Sequence, residues 1–258
     1  MIIATVLHII LPLAVGFIAG FIGTLLGIGG GAIIVPLLIM AGFDPRVVVP
    51  ASLIAILGTS IGGLRFLLRK KLVDYRLAFI LELASISGAL FGSEVFFRIE
   101  RKMLVALLGL VLIASGILFV FREKRMKKGV EYKGQSSKKR MALALLVSFT
   151  AGMISAMLGI GGGVLKVPML VLVLGLPIRI AVATSKLMVG ITAATGVIGH
   201  ALHENIDLLI SALLAVGTYS GALSSSRLLV KLRSPLLYLI ASLYYLFMGF
   251  YLIAKILM

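Results

Sequence analysis

The chain contains no cysteine and no tryptophan, and only nine of its 258 residues are Asp or Glu. Without cysteine there are neither disulfides nor thiolate metal sites. The three histidines, His8, His200 and His203, are too dispersed for a metal centre, so no metal ligand is assigned. No H-E-x-x-H, G-x-S-x-G or G-K-[ST] pattern and no Ser-His-Asp order occurs, which leaves hydrolysis and ATP use without support. Neither a cofactor nor an enzymatic activity is expected.

Charge is missing from long stretches. Ile2 to Phe43 holds no Lys, Arg, Asp or Glu, a run far longer than the roughly 20 apolar residues that cross a bilayer. The whole chain is 61% hydrophobic, where a soluble domain averages about 45 to 50%. A cleaved signal peptide would need a basic start and a short apolar core, and the first residues offer neither. What charge there is runs strongly one way, with 25 Lys plus Arg and a formal net charge of +16. Those residues lie mostly in short loops between apolar segments, a placement that the positive-inside rule explains and a nucleic-acid partner does not. The expected partner is the lipid bilayer.

Two glycine blocks interrupt the apolar sequence: L-G-I-G-G-G-A-I-I-V-P from Leu26 to Pro36 and L-G-I-G-G-G-V-L-K-V-P from Leu158 to Pro168. Four glycines in five positions disfavour helix, so helices on either side should be broken there. A break at membrane depth persists only where protein buries it or where it lines a wet cavity. The helix that restarts after it presents unpartnered, partly positive N–H groups, which suit an anion.

The blocks belong to an internal repeat. A shift of 132 carries Ala19-Gly20 onto Ala151-Gly152, Pro36 onto Pro168 and Pro45 onto Pro177; a shift of 133 then carries Ser52 onto Ser185, Thr59 onto Thr192, Asp74 onto Asp207 and Gly116 onto Gly249. Residues 1–122 form membrane repeat 1, residues 123–140 a basic cytoplasmic linker and residues 141–258 membrane repeat 2. Each repeat reads as a Gly-broken helical hairpin (about 3 to 26 with 32 to 42; about 141 to 158 with 164 to 175) and three long helices (about 46 to 68, 75 to 97 and 102 to 122; about 179 to 203, 207 to 230 and 235 to 257). The hairpin either dips in and returns or crosses twice. The fold class is all-α, a polytopic membrane helix bundle of two pseudo-symmetric repeats.

Loop charge sets their relative orientation. The stretch from Arg65 to Arg76 carries five basic residues against Asp74, whereas its counterpart from Ile198 to Leu209 carries only Glu204 and Asp207. In the next loop the bias reverses: Arg98, Arg101 and Lys102 are offset by Glu94 and Glu100, while Arg227, Lys231 and Arg233 have no acid. Equivalent loops on opposite faces mean inverted repeats about an axis in the membrane plane. The linker, with nine basic residues from Arg122 to Arg140, then lies in the cytoplasm and the N-terminus outside, in a multi-pass protein of the cell membrane.

A pseudo-symmetric pair of broken segments points to a transport site. Its candidate substrate-binding residues are Gly27, Gly29, Gly30 and Gly31 with Gly159, Gly161, Gly162 and Gly163, and Pro36 and Pro168 act structurally at the broken helices. Lys166 and Lys186 are basic residues in apolar segments, where an ionisable group is costly and by default functional as a counter-charge; the repeat puts Ile34 and Leu53 at the corresponding places. The alternative for Lys166 is snorkelling to the interface. Ser52, Thr59, Thr184, Ser185 and Thr192 supply hydroxyls that either bind oxyanion oxygens or bond between helices. Glu82, the one acid well inside a predicted span, either couples protons or pairs with a basic residue to hold the bundle.

These residues resemble the TauE/SafE family of sulfite-exporter-like permeases. The likeness rests on the duplicated L-G-I-G-G-G-x-x-x-V-P at 26 to 36 and 158 to 168, and on the following A-S-L at 51 to 53 and A-T-S-K at 183 to 186. The resemblance implies secondary transport, generally outward, of sulfite, sulfoacetate or related sulfonates, with the motif region as substrate site. The expected function is a transporter of a small anion in which the halves rock about a midplane site, driven by a coupling proton or ion. An anion channel, a non-transporting membrane assembly protein and an intramembrane enzyme are the alternatives. Monomer and homodimer are both compatible with the sequence.

Overall fold

A computed structural model describes residues 2–126, 138–202, 206–229 and 234–257. Most of the linker, from 127 to 137, lies outside the described residues, as do His203, Glu204, Lys231 and Arg233. The described residues form ten helices and no strand: α1 (Ile2–Leu26), α2 (Gly31–Met40), α3 (Pro45–Arg69), α4 (Tyr75–Arg98), α5 (Arg101–Met126), α6 (Lys138–Leu158), α7 (Gly163–Leu172), α8 (Ile178–Ala201), α9 (Leu208–Leu229) and α10 (Ser234–Leu257).

Length separates these helices into two kinds. Eight have 21 to 26 residues, and at 1.5 Å per residue even the shortest is about 31 Å long, enough to cross a bilayer. α2 and α7 have ten residues and reach about 15 Å, half the hydrocarbon core. The two hairpins expected from the glycine blocks are therefore unequal, each with one long arm and one half-length arm. Six helices (α1, α3, α4, α6, α8 and α9) are long and apolar enough to span through their described residues, and α5 and α10 carry the apolar segments Lys102–Ile117 and Ser242–Ile256. The chain is a multi-pass membrane protein. Phe79, Leu83, Leu146, Val216 and Phe247 are exposed along the long helices, as lipid-facing side chains should be.

Polar residues define where helices begin. Asp44 accepts a hydrogen bond from the Arg46 amide at 3.0 Å with Pro45 in the first turn of α3, and Asp74 accepts from the Leu77 amide at 3.0 Å at the start of α4. Asp207, repeat-equivalent to Asp74, does the same for Ile210 at 2.9 Å. These acids satisfy helix ends. α5 runs four residues past its expected end because Arg122 to Arg125 are helix formers with no stop signal among them.

The repeats are interlocked. α1 lies against α9 of the other repeat, and its equivalent, α6, lies against α4; α5 pairs with α10 and α3 with α8. Small residues permit the approach. A methyl group added at Gly20 would overlap the Thr218 backbone, and one added at the equivalent Gly152 would overlap the backbone of Ser85, the repeat partner of Thr218. Contacts within the equivalent pairs run in opposite directions. Gly63 of α3 meets Lys186 of α8 while Gly196 meets Leu53, and Gly109 of α5 meets Ile253 of α10 while Gly116 meets Leu246. Each expected half thus has its first helix seated on the other half's fourth.

Candidate functional site

The two glycine blocks meet where α3 and α8 cross. Gly27 to Gly31 and Gly159 to Gly163 are all buried. Gly27, Gly29, Gly159, Gly161 and Gly162 have positive φ, from 65° to 85°, a conformation that glycine adopts without the penalty other residues carry. The loops touch through backbone: a methyl on Gly31 would overlap the Gly159 carbonyl, and one on Gly163 would come within 2.8 Å of the Gly27 carbonyl.

The loops are also cross-tied. Ser52 donates to the Gly159 carbonyl at 2.8 Å, and Ser185 donates to the Gly27 carbonyl at 3.0 Å. Since a hydroxyl carries one proton, Ser185 commits its donor to the opposite repeat's loop and Ser52 shares its own between the Gly159 carbonyl and the Val49 carbonyl of its own helix at 2.7 Å, so neither leaves a donor for an oxyanion. The loop amides are different. The N–H groups of Gly29, Gly30, Gly31 and Ala32, and those of Gly161, Gly162, Gly163 and Val164, have no acceptor among the described residues. Each short helix bonds back only from its third residue on, with Ile33 and Ile34 donating to Gly30, and Leu165 and Lys166 to Gly162. Two clusters of buried, unpaired donors at helix N-termini form an electropositive seam suited to negative charge. Pro36 and Pro168 sit inside α2 and α7, beyond the break, where each removes one helical donor.

Lys166, expected as a counter-charge, and Glu82, expected either to couple protons or to pair with a basic residue, form one buried pair. Lys166 Nζ lies 2.9 Å and 3.1 Å from the Glu82 carboxylate oxygens, with 0% and 2% side-chain exposure. Thr192 joins both, accepting from Lys166 and donating to Glu82. The Thr192 hydroxyl lies 2.8 Å from that of Ser85, and the Met188 carbonyl is 3.4 Å from Lys166 Nζ. The cluster ties α7, α4 and α8 together. Snorkelling is excluded for Lys166 by its burial.

Lys186 has a different setting. It is fully buried, and among the described residues its ammonium has one partner, the Thr24 hydroxyl at 2.6 Å. Among the described residues no carboxylate compensates it. It stands beside Gly63 of α3, on the helix whose Ser185 and Val189 contact the first glycine loop. The site therefore holds one neutralised cation and one bare one; both lysines come from the second repeat, and the carboxylate and hydroxyl that meet them, Glu82 and Thr24, come from the first.

The remaining hydroxyls point elsewhere. Thr59 donates to the Ile56 carbonyl of its own helix at 2.8 Å, and Thr184 accepts from the Asp74 amide at 3.0 Å, fastening the α3–α4 turn to α8. Sequence reasoning missed Thr24 and Ser85. Thr24, three residues before Gly27, is the hydroxyl where the second repeat has Ala156, the same asymmetry signal that singled out Lys166 and Lys186. His200, which bonds the Ala156 carbonyl at 2.8 Å and stacks edge-on against Phe96, is buried at α8's end.

The sequence is similar to known membrane proteins over most of its length. The family described as Sulfite exporter TauE/SafE matches residues 12–252. The probable membrane transporter protein YunE of Bacillus subtilis (strain 168) is 25% identical over 232 residues, covering 82% of this chain and 85% of that one. A probable membrane transporter protein of Xylella fastidiosa (strain 9a5c) is 28% identical over 221 residues, covering 84% and 83%. The probable membrane transporter protein YfcA of Escherichia coli (strain K12) is 25% identical over 236 residues, covering 88% and 84%. No solved structure matches the chain. With the paired glycine loops at its centre and the family's pattern running almost end to end, this chain belongs to the TauE/SafE family.

Proposed function

We propose that the protein is a secondary transporter that moves small anions, of the sulfite, sulfoacetate and sulfonate kind, outward across the cell membrane. The observation that carries this reading is the pair of touching glycine loops with buried, unpaired amides. Backbone donors at membrane depth are costly unless something accepts from them, and oxyanion oxygens are acceptors of the right charge. Lys186, buried without an acid, adds the charge that a monoanion would neutralise. The names of the relatives, all probable membrane transporters, agree with this.

The repeats are inverted in this proposal, supported by the opposed directions of α3 against α8 and of α5 against α10. The basic loops then face the cytoplasm and the N-terminus faces out. The seam is buried, so access alternates by relative motion of two composite groups, α1, α2, α3 and α9 against α6, α7, α8 and α4, in place of the sequence halves. Glu82, held by Lys166 and Thr192, is the proton-coupling group.

Counterflow in liposomes tests the proposal. Preloaded sulfite or sulfoacetate should accelerate uptake of the labelled anion with saturation. Flux that rises without saturation and shows no trans-acceleration would replace the carrier with a channel, and absence of flux for every oxyanion would overturn the reading.

A further inference from the structure

Away from the glycine loops, the ends of α3 and α9 enclose a cavity of about 330 Å³ lined by Gly62, Phe66, Ser226 and three arginines, Arg65, Arg69 and Arg227. Arg65 and Arg69 are four residues apart and so share one face of α3, and Arg227 meets them from α9. Among the described residues no carboxylate lines this cavity and none of the three arginines has an ion-pair partner. A fourth cation, Lys70, sits 5.9 Å over the Phe66 ring at the cavity's edge. Converging like charges repel, and a planar guanidinium offers a fork of donors that matches a phosphate group.

We propose that this cavity binds a phosphate group, carried by an anionic lipid or free in solution. Lipid is the source the surroundings favour: Ile61, Tyr219 and Leu223 are exposed apolar side chains on α3 and α9 beside the arginines, giving acyl chains a surface below the headgroup. Basic pockets between membrane helices hold anionic headgroups by the same physics. The inference does not depend on the transport reading, since the cavity lies apart from the glycine loops and its test reads binding, not flux.

The full-length protein, purified in neutral detergent, is titrated with short-chain phosphatidylglycerol, with phosphatidylcholine of the same chain length and with inorganic phosphate, following Tm. Phosphatidylglycerol should raise Tm where phosphatidylcholine does not, and Arg65→Gln with Arg69→Gln should weaken the apparent affinity by about tenfold or more. Arg98→Gln, at the far end of α4, should leave it unchanged. Because these arginines are exposed, the variants should keep the wild-type Tm before lipid is added. An equal response to inorganic phosphate that is also lost in the Arg65/Arg69 variant assigns the site to the free oxyanion. An identical response in wild type and variant, or to both lipids, overturns the proposal.

Discussion

Ser52 and Gly159, in opposite repeats, are joined by a hydrogen bond of 2.8 Å, and the repeat-equivalent bond runs the other way, from Ser185 to the Gly27 carbonyl at 3.0 Å. Each half holds the other's broken segment in place. Removing either hydroxyl strands a buried carbonyl, so Ser52→Ala and Ser185→Ala should each lower stability by about 2 kcal/mol. Thermal melting of the purified variants measures this. Ser87→Ala, whose exposed hydroxyl bonds only its own helix, should melt near wild type.

Gly31→Ala should be far more damaging than its size suggests, because the new methyl would overlap the Gly159 carbonyl and force the loops apart. Gly42 provides the contrast. Its φ is 93°, but a methyl there meets nothing within 4 Å, so Gly42→Ala should cost about 1 kcal/mol of backbone strain. Size-exclusion profiles and melting of the two variants separate the effects.

The two buried lysines should respond oppositely. Lys166→Met leaves Glu82 buried and unpaired, a loss of about 3 to 5 kcal/mol, whereas Lys166→Met combined with Glu82→Gln should recover much of it. Lys186→Met removes a buried charge that has no acid to compensate it. Its stability should equal or exceed wild type while transport and anion-dependent stabilisation disappear. Wild-type flux in that variant would remove Lys186 from the site.

If Glu82 carries the coupling proton, Glu82→Gln should flatten the dependence of flux on pH across the range where wild type varies. An unchanged pH profile, with only a lower Tm, would leave Glu82 as the structural partner of Lys166 and nothing more.

The absence of cysteine makes orientation testable directly, since any introduced thiol is the only one. A thiol replacing Arg69 should react with impermeant reagents only from the cytoplasmic side in sealed vesicles, and one replacing Asp207 only from outside. The reverse pattern would invert the topology.

The order of elements was legible because it rests on local signals: charge-free runs, glycine blocks and a repeat that reproduces itself residue by residue. The half-length of α2 and α7 was legible too: the short arms expected at about 32 to 42 and 164 to 175 fall within three residues of the observed Gly31–Met40 and Gly163–Leu172, because Gly42 and Gly175 punctuate the apolar sequence after them. Partners across the fold left fainter traces. Lys166 and Glu82 were each conspicuous as charges that the other repeat lacks, with Ile34 and Ala215 in their places, yet nothing local says that one neutralises the other. Ser52 and Ser185 stood out as hydroxyls next to the breaks, but whether they serve a ligand or a carbonyl depends on where the opposite loop lands.

The seating of α1 on α9 also bears on how the chain is made. About 180 residues of synthesis separate the end of α1 from the start of α9, and during that time the glycine-bearing face of α1 has no mate within its own half. The first repeat must wait in the lipid, incompletely sealed, until the second arrives; a half released early would have to find another copy of itself to close.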